Sequence, residues 1–186
     1  MGTPDSDDTT AHGPTLPPGP FESGFTLIEL LIVVAIIGII AAIAVPGLLR
    51  ARVSANESAT LGDIRTVISA EVAYHSASAG NFGTAACLLS PIGPGCIPNY
   101  PASAPTFVDS QIGALVPKSG YNRNLAGPVV PGGLSCFMYH ATPTAVGQTG
   151  VRGFAGDCSG RICYTPDGTP LAPFIGPLPG TCQTIQ

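Results

Sequence analysis

From Phe25 to Leu49 the chain is almost wholly hydrophobic, with Thr26 and Glu29 as its polar positions before Arg50. As a helix this run is long enough to cross the hydrocarbon core of a bilayer, which takes about 20 apolar residues. Beyond Arg50 and Arg52 the pattern becomes one-sided. Val53, Leu61, Ile64, Val67, Ile68, Val72 and His75 recur at helical spacing, with Glu57, Asp63, Arg65 and Glu71 between them. The two patterns join into one helix predicted from Phe25 to about Ala79, roughly 55 residues and on the order of 80 Å long. Its first half, 25–52, is apolar all round; its second half, 53–79, is amphipathic and needs a surface to pack on, which the chain's own sheet supplies. His75 reads as a packing residue at the helix end. Gly38 and Pro46 are the weak points, and a proline inside a helix removes a backbone bond and crowds the preceding turn, so a bend is expected near residues 42 to 46.

The periodicity fades after the helix. Residues 80–117 read as an irregular connection, with Cys87 and Cys96 bracketing a loop that has no helix or strand of its own and a possible helical turn at Asp109 to Leu115, capped by Asp109 or Ser110. Residues 118–186 carry the strand signals. Gly120–Leu125, Cys136–Thr142, Arg152–Asp157 and Arg161–Thr165 are short, aromatic or β-branched, and bounded by Gly or Pro. The expected fold is α+β: a long amino-terminal helix packed on a small antiparallel sheet of three or four strands, with a disulfide-tied carboxyl terminus.

Composition sharpens this picture. Charged residues are 10% of the 186, while 24 Gly and 20 Pro favour turns and short strands past residue 80. Residues 1–20 are polar, acidic and Pro-rich, cannot bury enough apolar surface to order themselves, and stand outside the fold. Asp5, Asp7, Asp8 and Glu22 precede residue 25 and no Lys or Arg does, so the net charge of −4 comes from this leader and the rest of the chain is neutral. With Lys118, Arg123, Arg152 and Arg161 spread along the chain, nothing builds a nucleic-acid surface.

Six cysteines, Cys87, Cys96, Cys136, Cys158, Cys163 and Cys182, all follow the apolar run, and none forms a Cys-x-x-Cys pair. They read as three disulfides in an oxidising compartment. Cys87 with Cys96 clips the irregular loop. A hairpin centred near Gly147 would set Cys136 opposite Cys158 and leave Cys163 for Cys182, whereas Cys158 and Cys163 across a Ser159–Gly160 turn lie diagonal, about 7 Å apart. That register is an assumption, and the last four cysteines allow three connectivities. No nucleophile elbow, paired His ligands or phosphate loop is present, so neither catalysis, a metal nor a cofactor is expected.

Glu29 is the informative flaw in the apolar run. A carboxylate in a membrane helix costs up to about 3 kcal/mol at mid-bilayer and calls for a neutralising partner. Gly24-Phe25-Thr26-Leu27-Ile28-Glu29, followed by the apolar run to Val45 and Pro46, resembles the prepilin signature of type IV pilins and the related pseudopilins of type II secretion. The resemblance covers about 25 residues. It implies that a prepilin peptidase cuts after Gly24, removing leader 1–24, and methylates the new amine of Phe25, a cation largely protonated at neutral pH. Glu29 could pair with that amine within one helix, four residues apart, or with the amine of a neighbouring subunit and so set filament register.

On this resemblance the chain is a structural subunit, moving from the inner membrane into an extracellular homo-oligomeric helical filament for adhesion, motility or DNA uptake. It would depend on prepilin peptidase, an assembly platform and ATPase, and an outer-membrane secretin, with Glu29 and Pro46 as assembly residues. The alternatives are a minor tip subunit and a pseudopilin. Major pseudopilins often carry a calcium-binding loop rich in Asp and Asn near the carboxyl terminus, where the tail here offers only Asp167. One departure is the leader: family leaders usually carry Lys or Arg before the Gly, whereas Phe21-Glu22-Ser23 stand here and the nearest bases, Arg50 and Arg52, lie beyond the apolar run. That bias opposes the positive-inside rule. Either the cleavage signature and assembly machinery override it, or translation starts elsewhere than Met1.

Overall fold

The computed structural model describes residues 24–171 and 183–185. Its elements in chain order are α1 (Leu27–Ala77), α2 (Ala85–Leu89), α3 (Ser110–Gly113), β1 (Tyr121–Ala126), β2 (Val129–Val130), β3 (Gly133–Leu134), β4 (Met138–Pro143), β5 (Gly153–Asp157), β6 (Ile162–Thr165) and β7 (Gln183–Ile185). The fold is α+β, and the chain divides into two compact units between Ala42 and Ile43.

Helical backbone runs through Gly38 and Pro46 without a break. Pro46 lacks the N–H that would bond the Ala42 carbonyl, the last residue of the first unit. The helix ends where Ala79 and Gly80 take positive φ, 57° and 99°, and the Gly80 N–H turns back to the His75 carbonyl at 3.1 Å.

In the second unit one antiparallel sheet has the strand order β1-β4-β5-β6-β7, and β2 and β3 form a separate hairpin. Cross-strand rows give this sheet its helix-facing side: Leu125, Tyr139, Gly156, Ile162 and Ile185 make one, and Arg123, Ala141, Phe154 and Tyr164 another. Ile64, Val67, Ala70 and Tyr74 of α1 share the core with Tyr121, Tyr139, Ala141, Phe154 and Ile162. On the opposite side Met138, Ala155 and Cys163 form a smaller cluster, against which Leu171 packs.

Several expectations need correction. The sheet has five strands, one more than expected, because Gln183–Ile185 adds to the edge of β6; three residues with a single aliphatic side chain give no readable alternation. The β4–β5 register is shifted by one residue, pairing Met138 with Asp157, so Cys136 and Cys158 are not directly opposed. They are bridged all the same, with Cα atoms 5.3 Å apart just past the ladder's end. Cys87 and Cys96 are also bridged, at 5.4 Å, but Cys87 lies in α2 rather than in a structureless loop. Thr84 caps that helix by accepting from the Cys87 N–H at 3.3 Å. Cys163 is disulfide-bonded, and the partner expected for it, Cys182, lies outside the described residues, as does the leader before Gly24.

The helix face follows the expected stripe except at Val72 and at the acids Glu57, Asp63 and Glu71. The buried positions of α1 include Glu57, Thr60, Ile64, Val67, Glu71 and Tyr74, alternating steps of three and four. Val72 is exposed, and His75 is half-buried with its ring 4.6 Å from that of Phe82. Gly156 lets the helix settle this close to the sheet. A Cβ there would fall 2.6 Å from Ile64 Cγ2 and 2.9 Å from Ile68 Cδ1. Gly156→Val should therefore destabilise the folded unit by about 1–3 kcal/mol through overpacking. Chemical denaturation of the full chain in detergent, followed by tyrosine near-ultraviolet dichroism, checks this; unchanged stability would mean the helix is not held against β5.

Candidate assembly surface

Every residue from Gly24 to Arg52 is exposed in the single chain. Along this run Phe25 is 78% exposed, Leu27 80% and Ile43 78%, values that in water would demand a covering surface. By length and composition α1 is able to cross a membrane. The Gly24–Phe25 bond sits at the start of this surface, and among the described residues no non-neighbouring group lies within 4 Å of where a Gly24 side chain would begin.

Glu29 already has a local partner. The Thr26 N–H donates to Glu29 Oε2 at 3.1 Å, the Thr26 hydroxyl donates to the same oxygen at 2.8 Å, and the Glu29 N–H donates back to Thr26 Oγ1 at 3.2 Å. This is a capping box, in which N-cap and third helical residue satisfy each other's free N–H groups. The Thr-x-x-Glu spacing is a capping signature legible in the sequence, and the Phe25 nitrogen is an amide while Gly24 is attached. Pro46 lies farther along the same exposed run.

The second unit carries a different constellation, set by the acids on the buried face of α1. Glu57 accepts from the Val151 and Arg152 N–H groups at 3.1 Å each and from Arg152 Nε and Nη2 at 2.9 and 2.6 Å. Burial alone would push this carboxyl up, but those four donors hold it below the usual carboxylate range. Asp63 takes Lys118 Nζ at 2.8 Å on one oxygen and Arg123 Nη2 on the other. The Arg123 side chain is fully buried and lies beside the hydroxyl of Tyr139, whose pKa burial pushes up to about 12.

Glu71 differs from both. Its Oε2 accepts from the Gly83 N–H at 2.8 Å, which ties the end of α1 to the start of the connection, while Oε1 and the Tyr74 hydroxyl are buried with no hydrogen-bond partner. Among the described residues no cation pairs with it, and burial pushes its pKa up to about 8. These acids were assigned to the polar face because periodicity alone cannot show a donor waiting on the sheet. Arg123 within β1 and Arg152 just before β5 were the available signal.

The remaining charged positions do not converge. Asp157 ends β5, fully buried, and accepts from the Ser159 N–H at 3.0 Å and hydroxyl at 2.5 Å. Asp167 accepts from the Thr169 N–H at 3.1 Å and hydroxyl at 2.7 Å. Among the described residues no group of three or more His, Cys, Asp or Glu could hold a metal ion.

A helix that is apolar on every side at its start and packs one face on a disulfide-bonded antiparallel sheet farther on defines an α+β protein headed by a helix long and apolar enough to cross a membrane. Residues 21–45 match the prokaryotic N-terminal methylation motif. The chain is 42% identical over 57 residues to the type IV major pilin protein PilA of Myxococcus xanthus, a match covering 31% of this chain and 26% of that protein. It is 40% identical over 67 residues to the type IV wide pilus major component PilA4 of Thermus thermophilus, covering 36% of this chain and 51% of that one. The amino-terminal part of this chain is thus similar to that of type IV pilins. The matches span about a quarter and about half the length of these two curated relatives. No solved structure matches the chain.

Two outcomes follow from the buried acids. Asp63→Ala strands the buried Arg123 guanidinium and should cost about 3–5 kcal/mol, whereas Lys118→Ala, at a side chain 34% exposed, should cost less than about 1 kcal/mol; denaturant titration of both variants checks the ranking. Glu71 binds its proton more tightly folded than unfolded, so its contribution is complete below about pH 4.5 and is lost as pH rises to about 8. Wild type should lose up to about 1.4 kcal/mol per pH unit across that window relative to Glu71→Gln, and parallel stability curves for the two would refute this assignment.

Proposed function

We propose that this chain is the structural subunit of a type IV pilus, held in the inner membrane by the Phe25–Pro46 run and polymerising through it into an extracellular filament. Prepilin peptidase cuts between Gly24 and Phe25 and methylates the Phe25 amine. An assembly platform with its ATPase then lifts the subunit from the membrane, and an outer-membrane secretin passes the filament. The reading rests above all on one observation: a run of apolar side chains exposed on every side of α1 and headed by the methylation motif.

The chemistry of Glu29 supports this sequence of events. While Gly24 is attached, the carboxylate is held by Thr26 inside its own helix. Cutting the bond creates a cation at Phe25, and Glu29 then has a charged partner available from a neighbouring subunit, in surroundings where an ion pair is screened little by water. That pair sets the stagger between adjacent helices, while Pro46 loosens the helix so that its two halves can follow the filament core. The pseudopilin alternative uses the same amino terminus, but Asp167, the acid its carboxyl-terminal region offers for calcium, is already engaged by Thr169.

Glu29→Ala should leave membrane insertion intact and lower the yield of sheared surface filaments by roughly tenfold or more, since about 1.4 kcal/mol at each subunit contact already changes an association constant by ten. Membrane fractionation and negative-stain counting read the two effects separately. Normal filaments from this variant would refute the intersubunit role, and a chain absent from membranes would refute the anchor.

A further inference from the structure

The two arginines that follow the apolar run have no role in the scheme above. Arg50 and Arg52 are exposed and form no ion pair among the described residues, whereas Arg123, Arg152 and Arg161 each hold a carboxylate. Two residues apart on a helix, they project in nearly opposite directions, about 200° around the axis. Only Arg50 enters a groove of about 490 Å³, whose walls are Leu49, Val53, Gly147, Val151 and Pro166, with the Glu57–Arg152 pair as its floor.

The charge of this groove is settled by its contacts. Glu57 is consumed by Arg152 and two backbone N–H groups, so Arg50 leaves the groove with one net positive charge. Its outer wall is the loop after β4, which Asn56 pins to α1 by donating to the Thr149 carbonyl at 2.8 Å. That loop presents Val146 and Val151, 58% and 42% exposed, and Val151 shares the groove with Leu49, 50% exposed. Aliphatic side chains around a cation, at the point of the sequence where a bilayer-length apolar run stops, are the composition of a membrane-water boundary, where a guanidinium reaches for lipid phosphate.

We propose that this groove holds the headgroup of an anionic phospholipid while the subunit waits in the membrane. Arg50 binds the phosphate, and Val146 and Val151 rest among the upper acyl carbons. The proposal builds on the membrane-anchored reading above. It also gives Arg50 a use on the side where the positive-inside rule does not call for a base. A carboxylate from a second copy is the competing occupant.

The full chain reconstituted in nanodiscs of mixed phosphatidylcholine and phosphatidylglycerol provides the test, with native mass spectrometry counting the lipids retained on the ejected protein. Wild type should be enriched in phosphatidylglycerol over the nanodisc composition. Arg50→Gln should lose about fivefold of that enrichment, while Arg50→Lys and Arg65→Gln keep most of it. Equal enrichment in wild type and Arg50→Gln, both inserted, would overturn the headgroup site; so would an Arg50→Gln chain that binds lipid normally but no longer polymerises, which would assign the groove to a second copy. A chain recovered outside the nanodiscs would overturn the anchor and this site together, and is distinguishable because the lipid ratio is then never formed.

Discussion

A carboxylate buried against a sheet must find donors there, and the second half of α1 is positioned by that requirement. Glu57 and Asp63 lie on the helix face that meets the strands, one answered by Arg152 before β5, the other by Arg123 in β1 and Lys118 before it. Apolar packing of Ile64, Val67 and Tyr74 supplies the attraction but is tolerant of sliding. Two charge pairs with buried members are not tolerant, since a shift of one turn would leave each charge unpaired. Gly156 removes the side chain that would keep the helix away, and the Glu71–Gly83 contact fastens the far end.

These contacts explain why the sequence was legible in part. The apolar run, the switch to a one-sided helix and the four principal strands follow from local pattern, because periods of 3.6 and 2 survive in a single chain. The hydrophobic stripe failed where tertiary pairing overrides it. Val72 fits the period and faces water, while Glu57, Asp63 and Glu71 break the polar rule and face the core. Strand register was off by one because the turns after β4 and β5 set it, and Gly147 at φ 82° and Gly160 at φ 79° take conformations that composition suggests without fixing their place. β7 is too short to announce itself.

The apolar half of α1 poses the opposite problem. Among the described residues nothing covers it, and in the account proposed here its solvent is lipid and then other copies of itself. Thr26 makes the first of these states tolerable by holding Glu29 within the helix's own first turn. In that account the bond between Gly24 and Phe25 separates the two states, because a cation able to compete with Thr26 would exist only after that bond is cut.

The most direct test of this account is the intact mass of the subunit in filaments sheared from the cell surface. The account predicts a chain that begins at Phe25 and carries one added methyl group on its amine. Filaments built from subunits that still carry residues 1–24 would contradict it.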